Sequence, residues 1–159
     1  MKGLVAFSFA LGEQEPNPCN VRLARATLRI WAREDERVIV VSQWEIAKEI
    51  QSCGPGYGIP IDHVVEKHRE GRYLDSGEVM VQAAEVFRAY GVTEVIPVAQ
   101  RGLHMMKCRK LVKAAGFTPV KRKIGRVGFY PESLQWWTRG PIRLCIYAVL
   151  QQLTGRRGK

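Results

Sequence analysis

The sequence predicts an α/β domain in which a mostly parallel sheet of about five strands lies between two layers of helices. Short, β-branched apolar runs alternate with longer segments whose apolar residues recur at helical spacing. Two of the runs, residues 3–9 and 37–42, are apolar almost throughout, as expected for parallel strands buried on both faces. The 159 residues suit one domain, so we expect a single Rossmann-like three-layer sandwich over residues 1–159.

The first half of the chain predicts three strands and two helices in alternation. After the first strand comes a loop rich in Pro and Asn, and then apolar residues at helical spacing over 21–33. The second strand, 37–42, precedes the helical segment "WEIAKEIQSC", which ends at "GPGYG". "IDHVV" predicts a weaker third strand at 61–65.

The second half continues the alternation, with a helix at 76–90, a strand at 94–99, a helix at 103–115 and a short strand at 117–122. Asp75 and Glu78 have the spacing of a capping box at the start of the first of these helices. Pro97 conflicts with its strand, because a central strand cannot easily lose a ladder donor. A bulge or a position near the strand end would explain it.

Residues 130–159 predict a basic, helical extension packed on the domain. Its helix covers 141–153 and has one apolar stripe, made of Ile142, Ile146, Val149, Leu150 and Leu153. At 13 residues the helix is about 20 Å long, too short to span a bilayer. Packing of the stripe on the sheet is the favoured interpretation. The alternative is a peripheral cell-envelope factor whose last helix lies on an anionic membrane.

Charge is concentrated near the C-terminus. The chain carries +10, and residues 117–159 contribute nine bases and one acid, or +8. Such a region attracts nucleic acid, anionic lipid or a phosphorylated ligand. The four scattered cysteines suit buried thiols in a reducing compartment, and no segment is apolar for long enough to span a bilayer. We therefore expect a cytoplasmic protein, with a peripheral position at the inner membrane as the alternative, and leave its oligomeric state open.

The predicted ligand pocket lies beyond the carboxyl ends of the strands, where open parallel sheets bind ligands. Polar residues cluster there: Ser8 and Gly12 after strand one, Ser42 and Gln43 after strand two, Glu66 and Ser76 after strand three, and Gln100, Arg101 and His104 after strand four. They suit a small polar or anionic ligand, with His104 as the first candidate for acid–base work.

Several of these residues also have simple structural explanations. His104 could bond only to the preceding loop, and Arg101 with Gly102 could be an anion seat or an exposed surface turn. Asp75 and Glu78 are explained by the capping box. Arg22 is equally consistent with reaching the pocket and with belonging to an outer basic stripe. Trp136 and Trp137 could stack on nucleic-acid bases, but packing of the tail helix is the commoner use.

The stretch "HVVEKH" (63–68) resembles a metal site at first sight. The inverted metalloprotease pattern H-x-x-E-H is one residue shorter, and β-branched Val64 and Val65 favour a strand. We therefore predict no metal site, and expect Glu66 to face a ligand from the end of strand three. The sequence also lacks G-x-G-x-x-G after strand one, a Walker loop and G-x-S-x-G, which argues against dinucleotide oxidoreductases, P-loop enzymes and ordinary α/β hydrolases.

Most of residues 3–140 resembles the YdcF/SanA/ElyC-like family of bacterial α/β domains, whose biochemical role is largely unassigned. The matching pieces are "LVAFSFALG", Arg22 at the first helix, Ser42 in "VIVVSQWEIA", Glu66, Ser76 and Glu78 in "SGEV", and His104 in "VIPVAQRGLHMMK". Gln43 and Trp44 replace two glycines of the family, Val79 replaces an Asn, and Lys107 replaces an Arg. The resemblance implies the same fold and a pocket at the strand ends.

The leading functional prediction is a small-molecule-binding domain, with or without catalysis. A nucleotide-like or phosphorylated ligand suits the fold and the charge, and S-adenosylmethionine is one candidate. A nucleic-acid-binding module is the alternative, and it rests on the basic C-terminal region.

Overall fold

A computed structural model describes residues 1–11, 17–52, 59–66 and 74–153, with side chains described up to residue 151. The strands are β1 (Lys2–Ala6), β2 (Val38–Gln43), β3 (His63–Val65), β4 (Glu94–Val98) and β5 (Thr118–Pro119). The helices are α1 (Pro18–Trp31), α2 (Trp44–Ser52), α3 (Ser76–Ala89), α4 (Leu103–Ala114) and α5 (Pro141–Leu153), with a 3₁₀ helix at Trp136–Thr138.

The five strands form one sheet in the order β3-β2-β1-β4-β5, and every described pair is parallel. The predicted α/β fold class is therefore confirmed. Right-handed crossovers place α1 and α2 on one face of the sheet and α3 and α4 on the other, and the two helices of each pair contact each other. The strand order reverses direction between β1 and β4, so the switch point of the sheet lies there.

The centre of the sheet is packed tightly against α3. Leu4 and Val5 are fully buried in β1, as the continuous apolar run predicts. Gly3 precedes them, and a Cβ on it would lie 2.6 Å from Cε1 of Phe87 in α3. Because the glycine has no side chain, the phenylalanine ring can lie directly on the strand.

Pro97 lies within β4 but removes no hydrogen bond from the paired part of the sheet. The N–H of Val120 donates to the carbonyl of Val95 across the β4–β5 edge (2.8 Å). The next bond of a parallel ladder would need an N–H at residue 97, which proline lacks. Pairing with β5 accordingly ends at Pro119, opposite Val95.

Three of the helices begin with a capping side chain or with a glycine in an unusual backbone conformation. The Asn17 side chain accepts from the N–H of Cys19 at the start of α1. Asp75 accepts from the N–H groups of Gly77 and Glu78 at the start of α3, so the predicted capping role of Asp75 is confirmed. Gly102 begins α4 with φ +90° and ψ −135°, a conformation that only glycine adopts readily.

The segment before α5 crosses the carboxyl edge of the sheet and is fastened there. Ser133 is fully buried, and its hydroxyl donates to the carbonyl of Leu11 (2.9 Å) and accepts from the N–H of the same residue (3.1 Å). The ring of Phe129 packs edge-on against that of Phe9, just beyond β1. The C-terminal extension thus covers part of the edge where the ligand pocket was predicted.

The apolar stripe of α5 does not pack on the sheet, contrary to the favoured interpretation. The helix contacts α4 and the 3₁₀ helix, and it does so through Leu144 and Tyr147, while Ile142, Ile146 and Val149 are exposed. Helical periodicity defines a stripe but not the direction in which it faces. Within the part of the chain described, no helix is both long and apolar enough to cross a bilayer.

Candidate functional site

Two buried polar side chains lie just beyond the carboxyl ends of β1 and β4, the neighbouring strands at the switch point of the sheet. The register pairs Ala6 with Val98, so Ser8 and Gln100 lie two residues further along neighbouring strands. They are only 4% and 5% exposed. Among the described residues, neither the Ser8 hydroxyl nor the Gln100 side-chain carbonyl has a hydrogen-bond partner. Buried polar atoms are normally paired, so two orphans at a switch point mark a candidate binding site.

The backbone around Ser8 is held from both sides. The N–H of Ser8 donates to Oε1 of Gln43, and the N–H of Phe9 donates to Oδ1 of Asn20, each at 2.9 Å. The rings of Phe7 and Phe9 contact His104 on the α4 side. By strand alternation the side chain of Ser8, between them, faces the α1 side. Asn20 was not among the predicted site residues, because an asparagine inside a helix carries no sequence signal for this contact.

His104 lies on the other face of the same edge, in the first turn of α4. Its ring centroid is 5.4 Å from that of Phe9 and 6.5 Å from that of Phe7. Burial, with a smaller contribution from Lys107, lowers the pKa of His104 to about 3. The imidazole is therefore neutral near pH 7, with a hydrogen on one nitrogen only.

One nitrogen of His104 is paired and the other is not. Nε2 lies 3.2 Å from the hydroxyl of Ser76, at the start of α3. Nδ1 is buried without a partner among the described residues. If the Ser76 hydroxyl donates to Nε2, Nδ1 carries the hydrogen and offers a donor; in the other tautomer it offers an acceptor.

Cys108 extends this pair by one helical turn. Burial raises the pKa of its thiol to about 12, although the charge of Lys107 and, to a smaller extent, Ser76 oppose the shift. The sulfur is therefore a neutral thiol and not a reactive thiolate. A neutral thiol, hydroxyl and imidazole in a row are suited to hydrogen bonding with a ligand. With so low a pKa, His104 is a weak proton acceptor.

The turn that leaves β1 is backbone-strained. Ala10 has φ +73°, in the left-handed region that non-glycine residues rarely adopt. Its carbonyl accepts from the Asn17 side chain (3.1 Å), and Leu11 next to it is bonded to Ser133. A strained, over-determined turn at a strand end is typical of ligand-binding sites.

The remaining predicted site residues have varied environments. Ser42 is fully buried and bonds to the carbonyl of Gln43, and Gln43 also bonds to Glu45. Arg22 donates to the carbonyl of Val127 (2.8 Å), so it fastens the C-terminal segment to α1. Glu78 is half-buried in the first turn of α3. Three more of the predicted residues are exposed, namely Glu66, Arg101 and Lys107. Gly12 lies outside the described residues.

The "HVVEKH" stretch is a strand as far as it is described. His63–Val65 forms β3, which pairs with β2, and Glu66 follows it; residues 67 and 68 lie outside the described part. Among the residues that can be judged, no group of three or more His, Cys, Asp or Glu side chains is placed to hold a metal ion.

The paired tryptophans are internal packing partners. Trp137 stacks on Tyr147 of α5, with ring centroids 4.5 Å apart and planes 10° from parallel. Trp136 lies edge-on to both rings. The packing explanation therefore holds for Trp137, which is not an open platform for bases, whereas Trp136 keeps an exposed side chain.

The cavities do not mark one obvious pocket. A small recess of about 40 Å³ lies between the starts of α1 and α2 at the carboxyl edge, lined by Asn20, Trp44 and Glu45 among others. A larger one of about 290 Å³ lies at the opposite edge, between Lys2, Glu34 and Arg122. There Glu34 bonds to Arg122 at 2.6 Å and to Lys2 at 3.0 Å, and these bonds lower its pKa. Ion-paired side chains line this larger recess. The unpaired polar atoms of the switch point lie at the other edge of the sheet.

Comparisons of the chain with protein-family models, with curated proteins and with solved structures found no match.

Proposed function

We propose that this protein binds a small polar ligand with an anionic group, such as a nucleotide or a sugar phosphate, at the β1–β4 switch point. The observation that carries the proposal is the presence of two buried, unpaired atoms, Ser8 Oγ and Gln100 Oε1, beyond the ends of neighbouring strands. Leaving a buried polar atom unpaired costs about 1–3 kcal/mol. A ligand whose polar groups pair with these atoms would recover that cost on binding.

The surrounding charge favours the anionic part of the ligand. Arg101 and Lys107 are exposed near the start of α4, and the residue that caps this helix, Gly102, has a backbone conformation that favours glycine. Backbone N–H groups at a helix start and a guanidinium together favour a phosphate or carboxylate. S-adenosylmethionine fits the polar part of this description, and it belongs in any ligand screen.

Membership of the YdcF/SanA/ElyC-like family is part of this proposal. The polar residues that carry the resemblance, among them Ser42, Ser76 and His104, lie at the strand ends and helix starts of the carboxyl edge. We propose ligand binding as the function, with His104 as a hydrogen-bonding residue of the site and Glu66 as the candidate for any catalytic role.

Thermal denaturation with adenine nucleotides, S-adenosylmethionine and sugar phosphates tests the proposal. We expect at least one compound to raise the melting temperature of the wild-type protein. Ser8→Ala and Gln100→Leu should each abolish that rise. Neither should lower the stability of the ligand-free protein, since each removes an unpaired buried atom.

Thr27→Val is the matched control. The Thr27 hydroxyl is also fully buried, but it is bonded to the carbonyl of Leu23 (2.9 Å). Its loss should lower stability by about 1 kcal/mol and leave the ligand response intact. The proposal is wrong if no compound stabilises the protein, or if Ser8→Ala retains the full response.

A further inference from the structure

The outward face of α5 is the most apolar exposed surface on any described helix. Ile142, Ile146 and Val149 recur at positions i, i+4 and i+7, and they are 75%, 48% and 53% exposed. The exposed thiol of Cys145 lies between them on the same face. The opposite face, with Leu144 and Tyr147, packs on the domain. The helix therefore presents its stripe to the surroundings although a less apolar face is buried.

The exposed apolar residues concentrate around this helix. Leu103 and Met106 are exposed on α4, and Leu134 and Trp136 are exposed beside the 3₁₀ helix, both of which border α5. Elsewhere in the described chain only Met1, Val81 and Tyr90 are large, apolar and exposed. Apolar surface collected on three neighbouring elements indicates an interaction site.

The charges around the stripe select its partner. Arg139 and Arg143 are exposed at the start of α5, and Lys110 is exposed on the neighbouring α4. A second copy of the chain would bring like charges together across such a face, whereas an anionic surface would be attracted to it.

The side chains of the stripe favour a membrane over a nucleic acid as the partner. Bases bind to flat aromatic rings, but the outward residues of α5 are branched aliphatic ones, and Trp136 is the one exposed tryptophan beside them in the described chain, since Trp137 is stacked on Tyr147. Branched aliphatic side chains partition into the acyl region of a bilayer, with arginines at headgroup level. At about 20 Å, α5 has the length to lie in the interface but not to cross it.

We propose that α5 docks this protein onto the surface of an anionic lipid bilayer, with Ile142, Ile146 and Val149 inserted and Arg143 among the headgroups. The three inserted residues are not among the residues of the switch-point site, so the variants that test one proposal leave the residues of the other unchanged.

Co-sedimentation with vesicles provides the first test. The protein should sediment with vesicles of phosphatidylcholine containing 30 mol% phosphatidylglycerol, and at least about tenfold less with phosphatidylcholine alone, because each base near an anionic surface strengthens binding. Replacing the three inserted residues together (Ile142→Ser, Ile146→Ser and Val149→Ser) should lower the partition coefficient more than about tenfold. These side chains are exposed, so the melting temperature should stay unchanged.

Val81→Ser is the matched control. Val81 is also an exposed branched side chain, but it lies on α3, so vesicle binding should persist in this variant. Arg143→Glu should weaken binding to anionic vesicles and have little effect with neutral ones.

Cys145 offers a direct readout of insertion. In a Cys53→Ser background, an environment-sensitive fluorophore on Cys145 should shift its emission to shorter wavelength when anionic vesicles are added. The other two cysteines, Cys19 and Cys108, are buried.

Three outcomes would overturn this proposal. One is no binding of the wild-type protein to anionic vesicles. Another is binding that the triple serine variant retains in full. The third is a wild-type dimer that the triple variant dissociates while vesicles have no effect, since the stripe would then be a contact between copies.

Discussion

His104 is kept neutral by its surroundings, and this gives a testable pH dependence. Its ring is enclosed by Phe7 and Phe9, and one nitrogen is bonded to Ser76. Burial is the main reason why its pKa falls from 6.5 to about 3. A buried, neutral imidazole can donate or accept hydrogen bonds, whereas a group that transfers protons needs a pKa near the working pH.

The pKa of His104 predicts how stability changes with acid. Between about pH 3 and pH 6.5 the unfolded chain binds a proton at this residue and the folded chain does not. Its contribution to stability is therefore complete above pH 6.5 and is lost as the pH falls through this window, by up to about 1.4 kcal/mol per pH unit. Urea denaturation from pH 4 to pH 7 should show a shallower slope in His104→Asn than in the wild type. Equal slopes in the two proteins would contradict the burial of the ring.

At the scale of single elements, the fit between β1 and α3 is sterically tight. The Cε1 atom of Phe87 occupies the space where a Cβ on residue 3 would lie. Phe87 is itself fully buried and also packs edge-on against Phe117. The ring therefore has little room to move.

Gly3→Ala should destabilise the protein by about 1–3 kcal/mol, because the added methyl forces Phe87 out of its place. Phe87→Leu frees space beside the strand. The double variant should therefore be less destabilised than the sum of the two single changes, which urea denaturation of all four proteins measures. Strict additivity would mean that the two side chains do not compete for space.

Some features of the elements could be predicted from sequence, and others depended on neighbours. Strand and helix order follows from local periodicity, and Asp75 was predictable as a cap from its spacing to Glu78. The role of Pro97 was not predictable, because it depends on where β5 stops pairing. The direction of the α5 stripe depends on Tyr147 stacking on Trp137, a contact between separate elements that no local pattern encodes.

At the scale of the whole molecule, the C-terminal extension completes the carboxyl edge of the sheet. Ser133 lies at the centre of this contact. Its hydroxyl bonds to both backbone groups of Leu11, to Thr138 and to the N–H of Gln135. The edge where β1 ends thus depends on residues near the other end of the chain.

Ser133→Ala should lower the free energy of unfolding by about 1–3 kcal/mol, since it leaves buried backbone groups without their partner. Ser52→Ala is the comparison, because Ser52 is exposed and its hydroxyl bonds only to a carbonyl three residues earlier. It should change stability by less than about 0.5 kcal/mol. Similar denaturation midpoints for the two variants would mean that Ser133 does not hold the extension in place.

The location of the candidate site could be predicted from the fold, but its central residues could not be ranked. Parallel sheets bind ligands at the carboxyl ends of their strands, and Ser8, Gln100 and His104 all lie there. Whether a side chain there has a hydrogen-bond partner depends on tertiary packing. Contacts such as that of Gln43 with the N–H of Ser8 and that of Arg22 with Val127 join separate elements, and no local pattern predicts them.

The bonds between Ser133 and Leu11 join residues that are 122 positions apart in the chain. During synthesis, β1 and β2 emerge early and can pair, but the turn beyond β1 receives these bonds only after residue 133 has been made. Closing so long a loop also carries an entropic cost that local contacts avoid. The carboxyl edge is therefore the last part of the sheet to mature, and a nascent chain that stops before residue 133 should have a sheet but no finished binding edge.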